Sequence, residues 1–277
     1  MDFQIDNLVI TGGGFIGTNL RKHFEAKQKS NVKVWQAGRS GSENSVTSIV
    51  ENNKLTNFGV ILNGWGGVTS SSSGDSALQT QSLREFEAQI GEIKSLSPLI
   101  TLGFGSQIEK SGDLKKLTSY AAAKIEARKL FANMIESSNL LGKWIYIYSV
   151  YGPDMNESWL LPQLIIGGAK GSPLNMGQCL QKWGFLHISD FSDAIELIIS
   201  MPHLFPFEID LGGDASNSLR ELVYEVEKSV GFKCANFTHF GMPGWDSVPD
   251  LRPLTAAGWA QRVTLNHGVQ ELRDRYA

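Results

Sequence analysis

Glycines near the start of the chain constrain its fold more than any other stretch. The apolar residues 8–10 lead into glycines spaced G-x-G-x-x-G, and the residues after them have helical periodicity. Glycine lets the backbone turn sharply and lets a helix pack closely on a strand, while the free N–H groups of the helix attract an anion. An ordinary glycine-rich turn is the alternative, and the flanking strand and helix argue against it. The sequence therefore predicts a dinucleotide pyrophosphate site formed by Thr11, Gly12, Gly14, Phe15, Ile16 and Gly17.

Composition predicts a folded protein and argues against some partners. The chain has 277 residues, 42% of them hydrophobic, and a formal charge of −3 with scattered lysines and arginines. This length can bury a large core, and the scattered positive charge disfavours nucleic acid and membrane surfaces as partners. The first residues lack the features of a secretion signal and no stretch reaches the ~18 apolar residues of a membrane span, so we expect a cytoplasmic protein.

Cysteine and histidine are too sparse to indicate a metal centre. Cys179 and Cys234 are far apart in sequence, and the five histidines show no ligand spacing. The sequence therefore predicts two buried thiols, no disulfide framework and no metal site.

Strand-like runs alternate with helical patterns in the first half of the chain. These apolar and β-branched runs lie at residues 32–37, 58–63, 99–104 and 143–150. Continuous apolar strands are typical of a parallel sheet covered on both faces, so we predict an α/β fold with a doubly wound sheet over residues 1–152. This domain is also expected to receive a returning segment near residues 186–212. Prolines break the later pattern, so residues 153–277 are predicted to form mainly a smaller substrate-binding lobe.

Three polar side chains form a second informative group. Ser106 follows the run 99–104, at the sheet edge where ligands of open α/β sheets bind. Tyr120 and Lys124 are four residues apart in a predicted helix over residues 119–135 and so share one face. A nearby ammonium lowers the pKa of a phenol, so Lys124 would tune Tyr120 as acid or base while Ser106 holds a substrate carbonyl oxygen. The three are predicted to be catalytic in hydride transfer with a nicotinamide.

The spacing Tyr-x-x-x-Lys is not specific by itself, because the chain contains it twice. Tyr224 and Lys228 form the second pair, in a late helix far from the glycine turn in sequence. We interpret that pair as structural, because only Tyr120 follows a serine at a strand's carboxyl edge. The alternative for Tyr120 and Lys124 is an exposed helical pair without a chemical role. A serine cluster at residues 70–73 is interpreted as a site loop, with a linker as the alternative.

Two further segments join the glycine turn and the trio of Ser106, Tyr120 and Lys124. They read VYGP at residues 150–153 and FLHISD at residues 185–190. Together these features resemble the extended short-chain dehydrogenase/reductase superfamily, and within it the NAD(P)-dependent nucleotide-sugar epimerase, dehydratase and reductase group. The resemblance covers nearly the whole chain. It implies a Rossmann domain and a small C-terminal lobe that binds a nucleoside diphosphate sugar.

Departures from the family pattern favour one reaction over others. Dehydratases of the group carry an Asp-Glu pair after the catalytic hydroxyl residue, whereas Ser106 is followed by Gln107 and Ile108. Dehydration therefore lacks its acid and base. The main hypothesis is an NADPH-dependent reductase of a nucleoside diphosphate 4-keto-6-deoxy sugar, with Tyr120 giving the proton. The alternatives are an NAD-dependent nucleotide-sugar 4-epimerase using the same trio, and a non-catalytic NADP-binding sensor or scaffold protein.

The end of the second strand bears on which nicotinamide cofactor is used. An NAD enzyme usually presents an acid to the ribose hydroxyls there, but this chain has Arg39 and Ser40 and no carboxylate. Both suit a 2′-phosphate, so NADP(H) is favoured; NAD(H), with Arg39 over its adenine ring, is the alternative. The resemblance adds Asn63, Gly64 and Trp65 beside the nicotinamide ribose, with packing between lobes as the other interpretation of Trp65.

Contacts to the sugar diphosphate are expected from positions that differ from the family pattern. An Asn and an Arg of the family are replaced by Ser149 and by Lys182 or Trp183. Lysine binds phosphate as a point charge but lacks the bidentate fork of arginine, and a solvated surface role is the alternative for Lys182. The candidate substrate residues are Gln107, Ser149, Lys182 and Trp183. Helices are predicted over residues 76–95 and 119–137, and both carry apolar residues. These residues are expected to pack against a second subunit in a homodimer, with packing against the core alone as the alternative.

Overall fold

A computed structural model describes residues 4–26, 32–65, 72–111, 118–239 and 244–277. The chain divides into two compact units. The first contains Met1–Tyr146 and Ala194–Ile209, and the second contains Ile147–Asp193 and Asp210–Ala277.

Strands and helices alternate along most of the described chain. The strands are β1 (Asn7–Thr11), β2 (Lys33–Ala37), β3 (Phe58–Leu62), β4 (Ile100–Ser106), β5 (Gly142–Ile147), β6 (Ser149–Tyr151), β7 (Leu174–Met176), β8 (Phe185–His187), β9 (Glu208–Leu211) and β10 (Ala235–Phe237). The helices are α1 (Phe15–Ala26), α2 (Val46–Asn52), α3 (Ser76–Leu96), α4 (Ser119–Ser138), α5 (Leu160–Ala169), α6 (Ile188–Ser200), α7 (Leu219–Val230), α8 (Arg252–Ala256) and α9 (Leu265–Tyr276). Short 3-10 helices cover Gln107–Lys110 and Pro202–Leu204.

Six strands form one parallel sheet in the order β2-β1-β3-β4-β5-β9. Strand β1 pairs in parallel with β2 on one side and with β3 on the other. The chain therefore reverses its direction of winding between β1 and β3, and ligands of open α/β sheets bind at the carboxyl ends of the strands beside such a point. The predicted doubly wound, Rossmann-type sheet is confirmed.

Two glycines of β4 make room for a very large side chain of the core. Trp144 of β5 is fully buried, and a Cβ added at Gly103 or at Gly105 would overlap its indole. The indole also packs against Phe131 of α4, with ring centroids 5.5 Å apart, and against Phe86 of α3 at 6.1 Å. Trp144 of β5 therefore packs against α3, α4 and β4, the strand that ends at Ser106.

One predicted strand, at residues 143–150, is two strands in the structure. β5 ends at Ile147, and β6 begins at Ser149 and pairs in parallel with β8 instead of joining the six-stranded sheet. Between them the amide of Tyr148 donates to the carbonyl of Leu211 at 3.0 Å, and its phenol donates to Asp210 at 3.0 Å. An apolar run predicts a buried strand but not its partner, so the sequence gives no sign of this break.

The second unit is built from short strands and helices. β6 pairs with β8 and β7 with β10, while α9 packs against α5 and α7. Tyr224 lies on α7 with 50% of its surface exposed, and its ring meets that of Phe237 at 5.4 Å. Among the helices of the described ranges, none combines the length and the apolar character needed to cross a bilayer.

Candidate active site

Close backbone contacts shape the glycine turn between β1 and α1. Gly12 has φ +75°, a left-handed conformation that favours glycine, and a Cβ added there would lie 2.7 Å from the Cα of Gly64. A Cβ at Gly17 would overlap the carbonyl oxygen of Gly12. At Gly13 and Gly14, by contrast, no described atom beyond the adjacent residues lies within 4 Å of an added Cβ. The open glycines leave a cradle at the N-terminus of α1, which fits a pyrophosphate.

Two polar side chains without a sequence signature hold this turn. The Gln36 amide of β2 donates to the carbonyls of Ile10 and Gly12, both at 2.9 Å. The Thr18 hydroxyl donates to the carbonyl of Gly13, also at 2.9 Å. These bonds hold the carbonyls of Ile10, Gly12 and Gly13 in place and so stabilise the conformation of the turn.

Thr11 supports the turn instead of lining the ligand cavity. Its side chain is fully buried, and its hydroxyl accepts the amide hydrogens of Asn63 and Gly64 at 3.0 and 3.2 Å. The Thr11 hydroxyl therefore joins the ends of β1 and β3, and its contact with the cofactor stays a prediction. Phe15 and Ile16 are the half-buried first residues of α1.

A cavity of about 520 Å³ lies in front of the turn, within the ~300–1,000 Å³ typical of ligand pockets. It is lined by Gly12, Gly13 and Gly64, by Ala37, Gly38 and Arg39 after β2, and by Leu78, Gln81, Ser82, Arg84, Glu85 and Gln89 of α3. The cavity thus gathers three of the predicted cofactor residues. The cavity is also lined by the positively charged Arg84 and the negatively charged Glu85, which belong to no sequence motif and were not predicted.

Ser40 is turned toward carboxylates of α3. Its amide donates to Glu85 at 2.6 Å, and its hydroxyl donates to Glu92. Glu92 also accepts from the amides of Gly41 and Thr47, at 2.9 and 3.1 Å. Both donors of Ser40 therefore bond carboxylates of α3, and negative charges at these positions repel a phosphate. The phosphate roles of Ser40 and of the exposed Arg39 at the cavity stay predictions.

One stripe of α4 carries the candidate catalytic residues. Tyr120 lies in the first turn, and Lys124 lies one turn further on the same face. The Ser106 hydroxyl, at the end of β4, is close enough to the Tyr120 phenol to lower its pKa, and Lys124 Nζ donates to the Phe104 carbonyl at 2.8 Å. The structure therefore brings Ser106, Tyr120 and Lys124 together beside the carboxyl end of β4.

Part of the serine cluster contacts the start of α4. The carbonyl of Ser73 accepts the amide hydrogen of Tyr120 at 3.0 Å, and the carbonyl of Gly74 accepts from the Ser119 hydroxyl at 3.3 Å. This loop therefore anchors the turn of helix that presents Tyr120. The other half of the cluster, residues 70 and 71, lies outside the described residues.

Lys124 is held by a carbonyl and an aromatic face. Only 5% of the residue is exposed, and Nζ lies 4.0 Å from the centre of the Trp65 ring. The indole N–H of Trp65 donates to Gln79 at 2.9 Å, which fixes the ring over the ammonium. Burial lowers the pKa of Lys124, and the negative charge of Glu109 raises it again.

The pKa of Tyr120 shifts in the direction opposite to the sequence prediction. Burial raises it to about 12 and the charge of Glu109 adds to the rise, while the hydrogen bond with Ser106 lowers it. Because the Lys124 ammonium is directed at Phe104 and Trp65, it does not offset these effects. Tyr120 is therefore protonated throughout the neutral range, which suits a proton donor.

The four predicted substrate residues are divided between the two units. Gln107 begins the 3-10 helix after β4, in the first unit. Ser149 begins β6, and Lys182 and Trp183 precede β8, in the second unit. The Lys182 ammonium donates to the carbonyl of Ser216, so part of its bonding capacity is already used.

Comparison with protein families finds a match over part of the chain. Residues 102–207 match the model of the "NAD dependent epimerase/dehydratase family". The matched stretch includes Ser106, Tyr120 and Lys124, whereas the glycine turn lies before it.

Two curated relatives resemble parts of the chain. GDP-L-fucose synthase 1 of Arabidopsis thaliana is 28% identical over 159 residues, covering 46% of this chain and 43% of the relative. The uncharacterized UDP-glucose epimerase YtcB of Bacillus subtilis (strain 168) is 25% identical over 128 residues, covering 46% and 40%. Each match thus spans less than half of the relative's own length.

Solved structures resemble nearly the whole chain. MoeE5 in complex with UDP-glucose and NAD gives a TM-score of 0.78 at 17% identity and covers 97% of each chain. UDP-glucuronic acid 4-epimerase from Bacillus cereus, in complex with UDP-glucuronic acid and NAD, gives 0.76 at 18% identity, covering 97% of this chain and 98% of that one. At this identity the likeness shows the fold alone.

Proposed function

We propose that the chain is an NADPH-dependent reductase of a nucleoside diphosphate 4-keto-6-deoxy sugar. The observation that carries this proposal is the placement of Ser106, Tyr120 and Lys124 together at the carboxyl end of β4. A phenol with a pKa raised to about 12 stays protonated until a stronger base is formed beside it, and the oxyanion of a carbonyl under reduction is such a base. The family domain and the relative named for GDP-L-fucose support nucleotide-sugar chemistry.

The chain's own residues supply the proton and the stabilising bonds of this reaction. A bound nicotinamide supplies the hydride to the carbonyl carbon. Ser106 donates a hydrogen bond to the carbonyl oxygen while Tyr120 gives that oxygen its proton, so negative charge does not accumulate there. The tyrosinate then regains a proton from solvent. Gln107 and Ile108, which follow Ser106, provide no acid pair for dehydration.

The residues of the first unit fit a dinucleotide. The cradle at Gly13 and Gly14 would hold the pyrophosphate, and Arg39 and Arg84 of the cavity would lie with the adenosine half. Gly64 and Trp65, at the end of β3, would lie with the nicotinamide half. The second unit, with Ser149, Lys182 and Trp183, is proposed to bind the sugar nucleotide.

Arg39 is expected to select NADPH over NADH. Replacing Arg39 by alanine removes a guanidinium that would bond the 2′-phosphate, so NADPH affinity should fall about 10- to 100-fold and NADH affinity should change little. Calorimetric titration of both cofactors measures this difference. Arg21→Ala, at an exposed arginine of α1 paired with Glu25 at 3.4 Å, is the matched control and should change neither affinity. Tighter binding of NADH by the native chain would contradict the preference.

The reductase activity itself is tested with substrates. We expect NADPH absorbance to fall when the protein is mixed with nucleoside diphosphate 4-keto-6-deoxy sugars, and the product to carry a hydroxyl at C4. If NADPH absorbance does not fall with any member of a panel that varies the nucleotide and the sugar, the reductase proposal is refuted.

A second candidate, an NAD-dependent nucleotide-sugar 4-epimerase, is favoured by one specific observation. The Glu85 carboxylate lines the cavity, and a carboxylate there accepts hydrogen bonds from the ribose hydroxyls of NAD. This enzyme would use the same trio in both directions. NAD that stays bound through purification, together with sugar interconversion without net NADPH consumption, would select the epimerase.

A homodimer is also proposed, through the outward faces of α3 and α4. The two helices pack on one another within the first unit, so a second copy would meet them together. Light scattering that gives the mass of one chain would dismiss the dimer.

A further inference from the structure

The loop between β2 and α2 closes on itself beside the cavity. Within this β2–α2 loop, residues 38–45, the amide of Gly38 donates to the carbonyl of Asn44 at 2.8 Å. The carbonyl of Arg39 accepts from both the amide and the hydroxyl of Ser42, at 3.2 and 2.6 Å. A Cβ added at Gly38 would lie 2.5 Å from Oδ1 of Asn44, so the two ends of the loop are in close contact. Because the exposed Arg39 lines the cavity, the backbone of this loop decides where its guanidinium can reach.

A carboxylate of α3 fixes this loop to the start of α2. Oε1 of Glu92 accepts from the hydroxyl of Ser40 and from the amide of Gly41, the latter at 2.9 Å. Its Oε2 accepts from the amide of Thr47, in the first turn of α2, at 3.1 Å. The amide of Ser40 is held separately, by Glu85 at 2.6 Å. One side chain of α3 therefore joins the middle of the β2–α2 loop to the helix that follows it.

This set of donors requires a carboxylate at position 92. Both oxygens of Glu92 face donors, and a carboxylate accepts at both, whereas an amide accepts at its oxygen and donates from its nitrogen. In Glu92→Gln, either orientation of the side chain directs its NH₂ group at a backbone N–H, that of Gly41 or that of Thr47. The variant keeps the shape of the side chain but loses at least one of the two bonds to the backbone.

We propose that Glu92 is a positioning residue for the nicotinamide cofactor: by fixing the β2–α2 loop, it holds Arg39 where the guanidinium reaches the 2′-phosphate of NADPH. This rests on the proposed function, which assigns the 2′-phosphate to Arg39. The described residues that line the cavity do not include Glu92, so it acts through the loop. Its charge alone would have the opposite effect, because a negative charge near the 2′-phosphate weakens binding. Positioning and charge therefore predict changes of opposite sign when Glu92 is neutralised.

The test compares two cofactors in Glu92→Gln. Calorimetric titration of the full chain should show NADPH affinity lowered about tenfold, the effect of one lost hydrogen bond to a charged group, and NADH affinity within about twofold of native. Unchanged or higher NADPH affinity in E92Q would overturn the proposal, since a carboxylate that acts by its charge gives a rise. Equal losses for the two cofactors would overturn it as well, because they would indicate a general distortion of the cavity.

A double variant tests whether Glu92 acts through Arg39. Arg39→Ala lacks the guanidinium, so the addition of Glu92→Gln should lower NADPH affinity no further. A second loss of about tenfold in the double variant would contradict the proposal, because two independent effects add. Glu87→Gln is the matched control: it removes the same charge from an exposed position of α3 and should leave both affinities close to native.

Hydrogen exchange measures the loop itself without any cofactor. The amides of Gly41 and Thr47 should exchange slowly in the native chain, and at least one of them should exchange about tenfold faster in E92Q. Fast exchange of both amides in the native chain would overturn the proposal even if E92Q does not fold. A native chain that binds no NADPH would refute the proposed function and the role of Glu92 in it, whereas protected amides would still confirm that Glu92 fixes the loop.

Discussion

Replacing Tyr120 by phenylalanine is expected to lower turnover about 10²- to 10⁴-fold, the usual contribution of a positioned proton donor. The substitution removes the phenol oxygen but keeps the ring at the start of α4. The glycine turn and its cavity are untouched, so cofactor affinity should remain close to native. Steady-state rates of NADPH oxidation and a separate fluorescence titration with NADPH measure the two effects.

Tyr224→Phe is the matched control for this prediction. Tyr224 belongs to the second Tyr-x-x-x-Lys pair and is 50% exposed on α7, so its phenol oxygen should be dispensable for turnover. If the Tyr120 variant instead keeps its native turnover, both the reductase and the epimerase fail. If the native chain binds NADP without any turnover, the sensor or scaffold alternative gains support.

Replacing Gly17 by alanine is expected to lower the free energy of unfolding by about 1–3 kcal/mol and to weaken cofactor binding. The new Cβ would overlap the carbonyl oxygen of Gly12. That carbonyl cannot easily retreat, because it accepts hydrogen bonds from Gln36 at 2.9 Å and from Asn63 at 3.4 Å. Urea unfolding of the two proteins measures the loss, and calorimetric titration measures the change in cofactor affinity.

Gly13→Ala places the same methyl group where there is room for it. Gly13 is exposed, occupies the variable position of the motif, and has no described atom beyond its adjacent residues within 4 Å of an added Cβ. Its stability should stay within about 0.5 kcal/mol of native. Equal losses in both variants would mean that the turn resists any side chain, and a fully stable Gly17 variant would mean that α1 can shift away from Gly12.

Periodicity and spacing predicted the part of the fold that depends on local sequence. The run at 58–63 is β3 at Phe58–Leu62, and the run at 99–104 is β4 at Ile100–Ser106. Buried parallel strands need uninterrupted apolar residues, and a tight turn into a helix needs glycines at fixed spacing, so both leave a readable pattern. Ser106 at the end of β4 and Tyr120 at the start of α4 both lie at the carboxyl edge of this sheet, which explains why they come close together.

Features that depend on long-range contacts were not predictable. The partner of β6 is β8, which lies more than thirty residues further along the chain, and no property of residues 149–151 indicates it. The Ser40 hydroxyl donates to Glu92 of α3, which lies 52 residues further along the chain, so the sequence around Ser40 does not indicate this bond. The direction of the Tyr120 pKa was wrong for a similar reason, since spacing alone gives neither burial nor the nearby charge of Glu109.

The indole of Trp144 on β5 fills the space that side chains at positions 103 and 105 of β4 would otherwise occupy. Any side chain gained on β4 therefore requires atoms to be lost from β5, and the reverse also holds, because a protein interior tolerates neither overlap nor a large void. In chains descended from a common ancestor, we expect the three positions to change together: alanine or serine on β4 should occur where a smaller residue replaces the tryptophan. Descendants that keep tryptophan at position 144 would then also keep glycine at position 105. That glycine leaves room for a carboxylate at position 109.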